Sequence, residues 1–232
     1  MTAHTPPLLP HLLKWELVLL HRQQMIVISL VTAAVYLGLF YLLRNLGSLD
    51  RVLVLMIYND PVIMSYLFAG VLLLFEKNEN TLAALAVSPL PMRQYLWSKG
   101  VALTLVATGT ALVMAWVGHG FRLQYVPFLI GMIGSSLQFA WVGCAMGARA
   151  RDFSQFLLRS IGGMIVGAVP FLALFDVWDH PLVYLLPTYP GVLLLQAAFE
   201  PITLGQWLYS LVYLGLGLVG AYRWSQQTLQ TV

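Results

Sequence analysis

Six apolar stretches, each roughly the 20 residues that cross a bilayer core, divide this chain from end to end. The expected spans are Met25–Leu43, Val52–Phe75, Val101–Val117, Val126–Ala148, Phe156–Phe175 and Trp207–Tyr222. Charged residues make up 9% of the chain and hydrophobic ones 59%, against about 25% charged in a soluble domain. A soluble bundle of these helices would lack the polar surface to face water. The expected fold is therefore an all-α integral membrane protein, one transmembrane domain over residues 1–232. An even number of crossings returns both termini to one side.

The placement of Lys and Arg fixes the expected orientation. Lys14, Arg22, Lys77, Arg93, Lys99, Arg149, Arg151, Arg159 and Arg223 fall on one side, and Arg44, Arg51 and Arg122 on the other. The richer side is read as cytoplasmic, with both termini inside. The segment 176–205 has no Lys or Arg but carries Asp176, Asp179 and Glu200, and is read as external. No cleavable signal peptide is expected, because Pro6, Pro7 and Pro10 lead into a charged helix. The net charge of +3 is too small to suggest nucleic acid as a partner, and the single Cys144 cannot form an intrachain disulfide.

Residues 8–22 pattern as an amphipathic helix lying in the membrane interface. Leu9, Leu12, Leu13, Leu17, Leu19 and Leu20 share one side, while His11, Lys14, His21 and Arg22 gather opposite. Glu16 interrupts the apolar face and calls for a basic partner on another element. Asp60 is the acid inside an expected span, and intramembrane charge marks a functional candidate. The competing reading makes Asn59 or Asp60 the N-cap of a helix starting at Pro61. Gly143-x-x-x-Gly147 and Gly163-x-x-x-Gly167 are spacings that admit close helix packing in lipid. The segment 176–205, with Pro181, Pro187, Pro190 and Pro201 around an apolar core, fits two short outer re-entrant helices before the last span.

Nothing in the sequence points to catalysis. There is no phosphate-binding G-x-x-x-x-G-K-[ST] loop, and His4, His11, His21, His119 and His180 show no metal-ligand spacing. No metal site, catalytic residue or resident cofactor is expected.

Residues 76–99 carry the most specific pattern. A charge burst, Glu76-Lys77-Asn78-Glu79, is followed by Asn80-Thr81-Leu82 and a helix-like Ala83–Val87. A Ser88-Pro89-Leu90-Pro91 break then leads into Met92-Arg93 and the next span. Leu82 and Leu85, three apart, share a helical face that can fill a groove. This layout resembles the permease subunits of type-2 ABC exporters, whose cytoplasmic coupling helix docks on a separate ATPase. Asn80 stands where such permeases usually have Gly.

The resemblance implies a working unit of two permease copies, or this chain with a homologous permease, and two ATPase subunits, with ATP and Mg bound by the ATPase. It places the assembly in the bacterial cytoplasmic (inner) membrane. It implies ATPase contact through Glu76, Glu79, Thr81, Leu82, Leu85, Ser88, Pro89 and Arg93. The second connector, with Arg151 and Asp152, is a further docking candidate. It also implies an interfacial N-terminal helix and an outer segment that closes the pathway. The segment from Leu74-Phe-Glu-Lys through Val87-Ser-Pro-Leu is similar to permeases of the drug-export branch, including those linked to fluoroquinolone efflux. The implied cargo is a hydrophobic or amphipathic small molecule, drug-like or lipid. Tyr36, Phe40, Asp60, Tyr66 and Met164 are the candidate pathway residues. Alternative readings are a haem or cytochrome c maturation permease, an integral-membrane enzyme, and a non-transporting scaffold or immunity protein.

Overall fold

The computed structural model describes residues 8–43, 49–79, 81, 91–178 and 180–230. Among the described residues, the regular elements are helical throughout. In chain order they are α1 (Leu8–Arg22), α2 (Met25–Leu43), α3 (Leu49–Ile57), a π-helical turn (Tyr58–Val62) and α4 (Ile63–Asn78). There follow α5 (Met92–Gly118), α6 (Tyr125–Arg149), α7 (Phe153–Leu174), a 3-10 turn (Pro181–Leu185), α8 (Tyr189–Gln196) and α9 (Leu204–Leu229). Five of them, α2, α5, α6, α7 and α9, are long and apolar enough to cross a membrane.

The remaining expected crossing, Val52–Phe75, is divided between α3, the π turn and α4. The expected cap at Asn59 or Asp60 does not form. Val62 precedes α4 in helical conformation without a side-chain cap, and Pro61 lies inside the π turn. Proline has no N–H to give an i→i−4 bond, and a π turn accommodates that gap without ending the helix. Asn59 instead donates to Tyr36 Oη at 2.9 Å, which ties the turn to α2, and Ser65 Oγ donates to the Pro61 carbonyl at 2.9 Å. α5 begins at Met92, straight after an extended Pro91, so Lys99 lies two turns inside the helix rather than ahead of it.

α6 is the hub of the bundle, packed against α4, α5, α8 and α9. Its small residues make that possible. A Cβ on Gly143 would sit 2.1 Å from the Tyr66 carbonyl oxygen, and one on Gly147 would sit 2.4 Å from the Gly70 carbonyl oxygen. That spacing therefore seals α6 to α4 within one chain. Gly163 on α7 differs, with open space where a Cβ would stand. α7 stands partly away from the bundle, and Leu158, Ile165 and Val166 are more than half exposed.

Polar contacts separate the two ends of the bundle. At one end Asp50 meets His119 Nδ1 at 2.8 Å, and Arg51 pairs with Asp176. Two short helical pieces occupy the segment 176–205 at this end, the 3-10 turn and α8. α8 is buried from Pro190 to Leu195, and Tyr209 and Tyr213 of α9 donate to the carbonyls of Tyr184 and Leu185. The basic end holds Lys77, Arg149, Arg151 and Arg159.

Candidate functional site

A cavity of about 780 Å³ lies between the π turn, α4, α6, α7 and α9. That size falls within the range of small-molecule sites. Its walls are mainly aromatic and aliphatic. Tyr58, Tyr66, Phe139 and Phe171 form a run of edge-to-face contacts, with ring centroids 5.6 Å apart for Tyr58–Phe171, 6.3 Å for Tyr58–Phe139 and 6.5 Å for Tyr66–Phe139. The Tyr66 hydroxyl turns away to donate to Ser160 Oγ at 3.0 Å, leaving its ring as wall. Ser160 Oγ in turn donates to the Phe156 carbonyl at 2.7 Å. Met164, Ile161 and Gly163 of α7 form the facing side, and Trp224 closes the basic end.

Three polar side chains in this wall, Tyr58, Gln138 and Thr188, hold a buried oxygen without a hydrogen-bond partner. Gln138 Oε1 and Thr188 Oγ1 make no hydrogen bond, and both residues are only 3% exposed. A buried acceptor left unpaired costs about 1–3 kcal/mol.

Of the residues expected from sequence to line a pathway, Tyr66 and Met164 face this cavity. Tyr36 reaches it through Asn59, one of its lining residues, while Phe40 packs in the core beside α3. The side chain of Asp60 lies outside the described residues. Tyr58, Gln138, Phe139, Phe171, Thr188 and Trp224 were not singled out from sequence. A lone amide such as Gln138 inside an apolar span was a readable signal, of the kind that drew attention to Asp60.

At the basic end a second constellation is built around Lys99. Its ammonium is fully buried, 2.7 Å from Glu76 Oε1 and 3.4 Å from Glu16 Oε2, and 5.2 Å from the centre of the Tyr95 ring. Tyr95 Oη donates to the other Glu76 oxygen. Three helices thus meet on one cation, with α1 supplying Glu16, α4 supplying Glu76 and α5 supplying Lys99. The charge that interrupted the apolar face of α1 has found its basic partner. Burial raises the Glu16 pKa, Lys99 opposes that rise, and the neighbouring Glu76 adds to it.

Beside this cluster, Lys77 Nζ donates to the carbonyls of Ala148 and Ala150 at 2.9 and 3.2 Å, which fastens the foot of α4 to the α6–α7 connector. The two connectors singled out from sequence are therefore neighbours. Glu79, Thr81, Arg93, Arg151 and Asp152 are exposed, whereas Glu76 turns inward to Lys99. Asp152 also caps α7, accepting from the Gln155 backbone N–H at 2.8 Å. Leu82, Leu85, Ser88 and Pro89 lie outside the described residues.

Several apolar crossings around an aromatic-walled cavity, with a clamped polar foot at the basic end, define a multi-pass membrane permease. The model of the fluoroquinolones export permease protein family matches residues 8–231, and the chain belongs to that family. Two curated relatives are the fluoroquinolones export permease proteins of Mycobacterium tuberculosis strains CDC 1551 and H37Rv. Each is 30% identical over 158 residues, covering 67% of this chain and 67% of the relative.

Proposed function

We propose that this chain is the permease subunit of an ATP-driven ABC exporter. It moves a hydrophobic or amphipathic small molecule out of the cytoplasm or inner leaflet. The observation that carries this reading is the aromatic-walled cavity within a chain of the fluoroquinolone export family. Its size suits a drug-like molecule.

In this reading the α3–π–α4 segment completes a sixth crossing, and both termini lie in the cytoplasm of a bacterial inner-membrane protein. α1 lies in the interface, and the 3-10 turn and α8 form the outer re-entrant closure. Two permease copies work with two ATPase subunits, which bind ATP and Mg. The ATPase engages residues 76–99, through Glu79, Thr81, Leu82, Leu85, Ser88, Pro89 and Arg93, and also the Arg151–Asp152 connector. Glu76 anchors that region from behind. Closing of the ATPase pair pulls on this end and changes the access of the cavity.

The test is ATP-dependent uptake of a fluoroquinolone into inside-out vesicles holding this chain with the ABC ATPase that co-purifies with it. Uptake is expected, and Leu82→Asp with Leu85→Asp is expected to abolish it without loss of membrane insertion. A stable complex that hydrolyses ATP but takes up no fluoroquinolone or other hydrophobic dye refutes the reading.

A further inference from the structure

α1 sorts its charges by direction. Its single acid, Glu16, turns inward to Lys99 and is 11% exposed at the side chain. His11, Lys14, His21 and Arg22 are all exposed, so the outward surface of the helix carries basic groups and no acid. Trp15 and Val18 are exposed beside them.

A groove of about 420 Å³ runs along the helix, lined by Pro10, Leu13, Lys14, Leu17, Val18 and His21. Lys14 and His21 are seven residues apart, close to two full turns, so they share one strip of the helix about 10 Å apart along its axis. Leu17 and Val18 lie between them. Glu79 and Asp152, exposed acids at the basic end, are not among the lining residues. The groove therefore joins an apolar floor to two basic groups with no acid to neutralise them. A water-soluble anion would leave the floor uncovered, and an uncharged apolar molecule would leave the basic groups unanswered. An anionic amphiphile meets both.

The turn after α1 indicates the source of such a molecule. Gln24 is left-handed, with φ 58°, a conformation uncommon for a residue with a Cβ. It ends α1 and lets α2 start at Met25. Because α2 is long and apolar enough to cross the membrane, α1 stands at the end of a crossing, where lipid headgroups lie. A helix at that level with basic groups and a tryptophan on its exposed surface attracts anionic lipid.

Resting only on the reading above that puts the basic end in the cytoplasm and α1 in the interface, we infer that this groove binds an anionic phospholipid of the inner leaflet. One acyl chain lies along Leu13, Leu17 and Val18, and the headgroup phosphate meets Lys14 and His21. A lipid seated there holds α1 on the bundle, and with it Glu16 on Lys99.

The test titrates dioleoylphosphatidylglycerol or dioleoylphosphatidylcholine into the full chain in detergent and counts bound lipids by native mass spectrometry. The anionic lipid is expected to bind its first site at least about fivefold tighter than the zwitterionic one, the worth of one basic group near an anionic lipid. Lys14→Gln with His21→Gln is expected to bring that ratio toward one. Arg223→Gln removes an exposed cation on α9 and is expected to leave it unchanged. Val18→Gln keeps the basic groups but puts a polar side chain on the floor, and is expected to weaken both lipids about threefold with the ratio kept. Glycerol 1-phosphate in large excess is expected not to displace the lipid. If hydrogen exchange shows that the double variant loosens α1, Lys14→Gln alone decides, because Lys14 is exposed. Equal binding of the two lipids, an equal loss of the ratio in Arg223→Gln, or displacement by glycerol 1-phosphate overturns the inference. Vesicle uptake separates this result from the exporter reading. Fluoroquinolone uptake without lipid discrimination overturns the groove alone. Lipid discrimination without ATP-dependent uptake supports the groove and overturns the exporter.

Discussion

Replacing Lys99 with Met tests the basic-end cluster most directly. The ammonium is fully buried, and its two carboxylate partners are only 15% (Glu76) and 11% (Glu16) exposed at the side chain. Methionine keeps most of the side-chain volume but leaves two acids facing each other with no cation. Breaking a buried pair by removing one partner costs about 3–5 kcal/mol. The loss should lie at the low end here, because one carboxyl can take up a proton and Tyr95 still donates to Glu76. For a chain of this size, about 3 kcal/mol corresponds to a fall in Tm of roughly 6–12 °C. The assay is thermal unfolding in nanodiscs, read by tryptophan fluorescence. Two signatures separate this account from ordinary loss of packing. The deficit should shrink as pH falls, because burial raises the Glu16 pKa and its protonated form needs no cation. Adding Glu76→Gln should recover part of the loss, because that change leaves a single acid in the cluster. A deficit independent of pH, with strictly additive effects in the double mutant, would refute the charge argument.

Further outcomes follow from other parts of the molecule. Gly147→Leu drives a side chain into the Gly70 backbone and should abolish monodisperse protein in gel filtration. Gly147→Ala should cost about 1–3 kcal/mol by overpacking. Tyr66→Phe removes the bond to Ser160 but keeps the wall ring, so affinity for a fluoroquinolone should stay within about twofold, and Tyr66→Ala should weaken it about tenfold. Loss of affinity in Tyr66→Phe equal to that in Tyr66→Ala would mean the hydroxyl, not the ring, faces the ligand. Glu16 has a raised pKa, so the folded state favours its protonated form. Its contribution to docking of α1 is therefore complete below the ordinary value of 4.5 and is lost as pH rises through the raised value. Hydrogen exchange of α1 should speed up over that interval in the native chain and lose the pH step in Glu16→Gln.

Five of the six expected spans were legible as long apolar helices, because the bilayer imposes a length and a composition that appear in the sequence itself. α2 begins and ends where the apolar run does, and α1 coincides with the amphipathic stretch. Glu16 was legible as a defect, since a charge on an apolar face calls for a partner, though the sequence did not say that the partner would be Lys99. Lys99 was counted with the residues that set orientation, because a census of charges cannot distinguish a solvated lysine from one sealed between three helices. The π turn was hidden for a similar reason. Asn-Asp-Pro fits a helix start as well as it fits a bulge, and only the Tyr36 hydroxyl facing Asn59 favours the second. Tyr66 and Met164 were chosen by residue type and face the cavity. Phe40, chosen on the same grounds, faces the core. That Gln138 and Thr188 line one cavity depends on the loop that returns α8 to α6, a long-range contact that no local pattern carries.

α4 links the two constellations. Tyr66 forms cavity wall, and Glu76, ten residues on, sits at the Lys99 cluster, about 15 Å away along the helix axis. Between them Gly143 and Gly147 hold α4 against α6 at backbone contact, so this stretch can tilt or slide but has little room to bend. At its foot Glu76 ties it to Lys99 of α5, which also holds Glu16 of α1, and Lys77 ties it to the connector that starts α7. Under the proposed function, a force on residues just after Glu79 therefore reaches the cavity as a displacement of the Tyr66 wall rather than dissipating in a loop. α7, which supplies the facing wall with few contacts to the bundle, is the element best able to respond. A cross-link between α4 and α7 at the level of Tyr66 and Met164 should then block fluoroquinolone uptake while leaving ATP hydrolysis running. Uptake that continues through such a cross-link would show that the cavity does not open between these two helices.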